Sequence, residues 1–137
     1  MMREIVFRGK DSITKRWVYG ALVQQQDDPL REKAFIISYS NYQFGDFSEA
    51  VMHEVDPETV GQYTGFVDKN SKKIFEGDIL SIYNSKAFLF AVEWNNQYVL
   101  KCTTNGVSDN ILNVIESSED VEVVGNIYDN PEPIKER

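Results

Sequence analysis

The chain has 137 residues, a formal net charge of −8 and a single cysteine. That length fits one domain, or one domain with a small N-terminal subdomain, and buries roughly two-thirds of the unfolded surface, enough for a core without staples. Cys102 alone excludes an internal disulfide and suits a reducing cytoplasm, and no apolar run approaches the ~18 residues of a membrane helix.

Near the start, Ile5 and Phe7 alternate with Arg8 into a turn at residues 10–14, and residues 16–24 read as the returning strand. The polar run 24–28, followed by Pro29, is a loop. Residues 34–39 form a continuous apolar run rich in β-branched and aromatic side chains, short enough for a buried strand. Residues 41–49 mix polar and aromatic types, with Tyr42, Phe44 and Phe47 set around Gly45 and Asp46, and read as an irregular loop. Residues 51–55 make another strand. Asp56 followed by Pro57 and Glu58 suits the cap of a single helical turn. A composition change near residue 56 divides the chain into an N-terminal β subdomain, 1–55, and a second portion, 56–137.

Residues 60–83 organise the second portion. Val60, Gln62, Thr64 and Phe66 fall on one side of an extended chain; Gly61, Tyr63, Gly65 and Val67 fall on the other. Five polar residues, 68–72, make the turn, because Asp and Asn bond their own backbone and tolerate left-handed dihedrals. Ile74 and Phe75 complete a hairpin, and Gly77-Asp78 breaks the chain before a third strand, Ile79 to Tyr83. Three strands sharing an apolar face are about the minimum that stands alone.

After a turn at Asn84-Ser85-Lys86, residues 87–103 are a second hairpin with two competing registers. A two-residue loop at Asn95-Asn96 pairs Trp94 with Gln97. A three-residue loop, Asn95-Asn96-Gln97, pairs Trp94 with Tyr98, Val92 with Leu100 and Phe90 with Cys102. The second gathers the large apolar side chains on one face, and burial selects it because a one-residue slip turns the whole face over. Ile111, Leu112 and Ile115 stand at helical spacing behind Asp109, suggesting a short helix over residues 109–117. Val121, Val123 and Ile127 form a final strand, and Pro131 and Pro133 end the ordered chain.

Gln62-Tyr63-Thr64-Gly65, Asp68-Lys69-Asn70 and Phe75-Glu76-Gly77-Asp78-Ile79-Leu80 resemble the signature of the YopX-like family of phage and prophage proteins. Arg3-Glu4-Ile5-Val6-Phe7-Arg8 is similar to that family's opening strand, and Val123-Val124-Gly125-Asn126-Ile127-Tyr128-Asp129-Asn130-Pro131-Glu132 to its closing one. The chain departs from the pattern at Ser71, where the family usually has Gly, and at Gly9-Lys10-Asp11, where it has an aromatic residue and Asp. Asn70 or Ser71 must therefore carry any left-handed turn conformation, at some steric cost. The resemblance implies a mostly β fold: strongly bent antiparallel sheets, an SH3-like small barrel within residues 56–137, and at most one or two short helices. It implies no activity.

The residues themselves show no catalytic, cofactor-binding or metal-binding signature. Asp68-Lys69-Asn70 begins like a calcium loop, but Lys72 and Lys73 stand where a ligand and Gly belong, and Ile79 replaces the closing Glu. His53-Glu54 lacks the second His or Cys pair that zinc needs, and reads as structural or solvated. Cys102 packs beside Phe90, inert. Asp46, Glu49, Glu54, Asp56 and Asp78 are the carboxylates of any magnesium site, but they have no supporting spacing. Gly61, Gly65 and Gly77 sit in or beside strands rather than in a phosphate loop. The acidic residues 116–120 read as a solvated loop.

Charge bears on the partner. Residues 1–55 carry seven Lys/Arg and eight Asp/Glu, whereas residues 56–137 carry seven and fourteen. Phosphate-backbone binding draws on Lys and Arg, so the acidic second portion argues against nucleic acid. Arg3, Arg8, Lys10, Lys15 and Arg16 read as a solvated hairpin face. The 17 aromatic residues ask for more. Trp17, Tyr19, Tyr39, Tyr42, Phe44 and Phe47 are too many to place in one small barrel, so those around Trp17 and Tyr42–Phe47 are either core or interface. Strands with open edges also favour self-association. With Met1-Met2-Arg3-Glu4 unlike a signal peptide, the expectation is a soluble, non-enzymatic interaction or regulatory module in the cytoplasm of a bacterial host. It needs no cofactor and touches no membrane; it forms a homo-oligomer or binds a host or phage protein. The alternative is a small barrel that binds single-stranded nucleic acid through Trp17 and the basic first hairpin.

Overall fold

The described residues form eleven strands and one helical turn, the longer strands following period-two alternation. The computed structural model describes residues 3–25, 30, 32–41, 46–82, 85–102, 108–110 and 120–130. The fold is mostly β, with two antiparallel sheets, and the chain divides into compact units Met1–Tyr63 and Thr64–Arg137.

In the first unit, β1 (Phe7–Lys10), β2 (Trp17–Gln25), β3 (Lys33–Asn41), β4 (Asp46–Val55) and the start of β5 (Gly61–Val67) lie in the order β4-β3-β2-β1-β5. Asp11 makes the β1–β2 turn, its Oδ1 accepting the N–H groups of Ile13 and Thr14 at 2.9 and 3.0 Å. Lys15 takes the left-handed backbone there, with φ 62°. The sheet curls until the end of β1 meets the end of β4. An antiparallel bridge joins Asp11 to Val55, Ser12 N–H donates to the Glu54 carbonyl, and Asp56 N–H donates to the Lys10 carbonyl. Ala34, Ile36 and Val55 are buried inside the curl, with Phe7, Val18, Leu22 and Val60 packed against them. Gly9 belongs at this seam because a Cβ there would lie 3.0 Å from the Val55 side chain.

The loop expected over 41–49 is instead, in part, strand: Asn41 ends β3 and pairs with Asp46, which opens β4. Residues 42–45 lie outside the described ones. The Asn41–Asp46 pairing extends the β3–β4 ladder past a register shift between Tyr39 and Asn41. The single helical turn forms as expected at Pro57–Thr59. Asp56, however, does not cap it through its side chain; Thr59 Oγ1 ties the turn down, donating to the Asp56 carbonyl and accepting Lys10 N–H.

In the second unit, the later residues of β5 pair with β6 (Lys73–Phe75). β7 (Asp78–Ile82), β8 (Ser85–Trp94), β9 (Tyr98–Cys102), β10 (Ser108–Asn110) and β11 (Val121–Asn126) form a sheet ordered β10-β9-β8-β7-β11. The third strand of the 60–83 stretch thus belongs to a different sheet from its first two, and Gly77 is the corner. Its φ is 89°, its N–H donates to the Val92 carbonyl, and its carbonyl accepts Ile127 N–H. Ile74, Leu80, Ile82, Val92, Leu100 and Val121 make the core, with Phe66, Phe90, Tyr98 and Val123 at its margin.

The β8–β9 hairpin takes the three-residue loop, pairing Phe90 with Cys102, Val92 with Leu100 and Trp94 with Tyr98. Asn96 supplies the left-handed residue at φ 61°. Trp94 does not join the buried face. It is 58 % exposed at the strand end and packs edge-on against Tyr98 at 4.8 Å, because the apolar face of the hairpin runs out before the loop. The other face is also covered at Ala91 and Val99. Ser85 and Lys86 are in β8, not in a turn. Asp109 stands in β10 paired with Leu100, not at a helix start; residues 111–119 lie outside the described ones, as do Tyr83, Asn84, Pro131, Pro133 and the side chain of Cys102.

Candidate functional site

The curl of the first unit brings together three side chains that are far apart in sequence. His53, on β4, faces inward beside Ile36, and its diagonal neighbour on β3 is Ser38. Ser38 Oγ lies 3.1 Å from His53 Nε2, and His53 Nδ1 lies 3.2 Å from Asp11 Oδ2. The Thr14 and Ile13 N–H groups on the Asp11 carboxylate, with His53 adding to them, hold its pKa below the usual value. Asp11 is therefore ionised at neutral pH and only accepts, so the proton between the two residues sits on Nδ1. Nε2 is the ring nitrogen that shares a hydrogen bond with the Ser38 hydroxyl. His53 has its partners across 15 and 42 residues of chain. Adjacent-residue spacing points only to Glu54, which is exposed; the β3–β4 register is the one signal that places Ser38 near His53.

The opposite, outward face of the same strands is largely apolar, with the exposed Glu54 of β4 on it opposite Phe35. Along β2 it presents Tyr19, Ala21 and Val23, along β3 Phe35 and Ile37, and along β4 Ala50 and Met52, with Ala21, Ile37 and Met52 directly opposite one another. Tyr19 is 48 %, Val23 43 % and Met52 61 % exposed. At one end of this face the Arg8 guanidinium lies 4.5 Å from the centre of the Trp17 ring, and Lys10 Nζ lies 5.6 Å from it. Arg8 is itself buried. Lys15, on the turn, pairs with Asp56 at 3.0 Å. Trp17 is thus a half-buried stacking partner for basic residues, and Tyr39, Tyr42, Phe44 and Phe47 have side chains outside the described set.

In the second unit Asp68 and Asp78 of the 60–83 stretch are turned onto backbone. Asp68 is buried; its Oδ1 accepts the N–H groups of Asn70 and Lys72, and its Oδ2 accepts Val123 N–H. Burial pushes its carboxyl up, but the N–H groups of Val123, Lys72 and Asn70 outweigh that and leave it below the usual range. Asp78 is likewise buried, its Oδ2 accepting Phe75 N–H at 2.8 Å. Ser71 takes the left-handed conformation, φ 63°. These residues bend the chain. Among the described residues no group of three or more His, Cys, Asp and Glu is gathered as metal ligands, and no helix is long and apolar enough to cross a membrane.

The model of the YopX protein family matches residues 6–135, nearly the whole length. The chain belongs to the YopX family. In fold this YopX chain is similar to the crystal structure of protein EF1440 from Enterococcus faecalis, with a TM-score of 0.56 and 21% identity over 97% of this chain and 99% of that one. No curated protein matches it. The geometry gives the YopX signature residues in this chain a physical role: Asp68 and Asp78 are held inside turns by N–H donors, where a carboxylate replaces missing backbone acceptors.

Proposed function

We propose that this YopX protein is a phage- or prophage-encoded interaction module that works in the cytoplasm of its bacterial host and associates with itself through the outward face of β2–β4. The supporting observation is the row Ala21, Ile37, Met52 with Tyr19 and Val23 beside it, apolar and open to solvent, with Glu54 at its β4 margin. Exposed apolar patches of this kind mark contact surfaces. A second copy is the favoured occupant because an apolar row meets its own like about a two-fold axis, and the chain's net −8 is screened within about 8 Å at physiological salt. The face is a binding surface, not a catalytic one.

The nucleic-acid reading draws less support. Trp17, its stacking residue, already has Arg8 and Lys10 against the ring, and Lys15 is engaged by Asp56. Size-exclusion chromatography with light scattering tests the first reading: an oligomer supports it, and a monomer across the accessible concentration range removes it.

A further inference from the structure

We infer that Ser38 is a nucleophile activated by His53 and oriented by Asp11, competent for acyl transfer from an activated carboxylic ester. The inference concerns the inward side of β3 and β4 and stands apart from the docking face. The order Oγ to Nε2, Nδ1 to Oδ2, at 3.1 and 3.2 Å, is that of a nucleophile, its base and the group that orients the base. Asp11 is built for the last role. Its Oδ1 is occupied by two backbone N–H groups, which leaves Oδ2 for the ring and fixes the ring in the tautomer a general base requires.

Each of the three sits on a different fixed element: the bridge at Val55, the β3 ladder and the β4 ladder. Ser38 is half-buried, but its surroundings leave an approach. Val51, opposite it on β4, is half exposed. The His53 side chain is itself a quarter exposed.

The chemistry balances in two steps. The Ser38 oxygen bonds to the ester carbonyl carbon while its proton passes to Nε2; the carbon–oxygen bond to the leaving alcohol breaks, and the alcohol departs with that proton. Water then attacks the acyl-serine, giving its proton to Nε2, and the bond to Ser38 breaks as the serine oxygen takes the proton back and the acid is released.

The test uses the full chain and a fluorophosphonate probe, in which the Ser38 oxygen–phosphorus bond forms as fluoride leaves. Intact mass and peptide mapping are expected to show one adduct, on Ser38. Ser38→Ala should abolish it, and His53→Gln should slow it on the order of 10²-fold, the contribution of a general base. Asp11→Asn is expected to slow labelling and alter its pH profile. Absence of an adduct on protein with an unchanged circular-dichroism spectrum overturns the inference. So does an adduct on another residue. An Asp11→Asn pH profile identical to that of the original chain overturns the positioning role.

Discussion

The Asp68 carboxylate accepts the backbone N–H of Val123, 55 residues away, at 3.0 Å. One side chain thereby holds both the β5–β6 turn and the final strand, and Lys69 N–H adds a bond to the Val121 carbonyl. Asp68→Ala strands three N–H donors and is expected to destabilise the protein by about 3 kcal/mol, read as a lower urea midpoint. Asp68→Asn keeps one acceptor oxygen and should lose roughly half as much. A change at exposed Glu93 within about 0.5 kcal/mol is the control.

Asp68 and Asp11 both have pKa values lowered by backbone N–H donors. Each binds fewer protons folded than unfolded, so its contribution is fully present above the unfolded value of about 3.9 and is lost as pH falls through the folded one. Thermal melts should show stability falling below about pH 4, and Asp68→Asn should flatten that slope. A slope unchanged in the variant contradicts the assignment.

Ser71 sits at φ 63°, a conformation that costs an L-residue roughly 1 kcal/mol. Ser71→Gly relieves that strain and is expected to raise the urea midpoint by the equivalent of about 0.5 kcal/mol, net of the extra backbone entropy of glycine in the unfolded chain. A lower midpoint would mean that the turn draws on the serine side chain.

Gly77 and Gly65 separate strain from crowding. Both have φ near 90°, but a Cβ at Gly77 would lie 2.9 Å from the Tyr128 ring, while nothing lies within 4 Å at Gly65. Gly65→Ala should cost about 1 kcal/mol through backbone conformation alone, and Gly77→Ala at least twice that, since the ring must move as well. Equal losses would show that Tyr128 yields freely.

Much of this fold is legible in the sequence where a buried face enforces alternation. The β8–β9 register follows from Val92 and Leu100 needing the same side, and the Ser71 turn follows from a polar run with no glycine in it. What escapes a sequence reading is decided by the edges of sheets. Asp46, in a polar segment, opens a ten-residue strand because β3 is there to pair with, and Ser108–Asn110 becomes a strand against β9 although its residues are polar. The switch of sheets at Gly77 leaves no periodicity to read. The approach of Asp11 and Ser38 to His53 is hidden for the same reason: it is made by the curl of the sheet across β1 and β4, not by local spacing.

The central claim is that the outward face of β2–β4 holds two copies together. Sedimentation equilibrium of the original chain beside Met52→Lys and Val124→Lys tests it most directly, since both residues are more than half exposed but Val124 lies on β11. The original chain and Val124→Lys are predicted to sediment as the same oligomer and Met52→Lys as a monomer. A monomeric original chain, or an oligomer that Met52→Lys leaves intact, would contradict it.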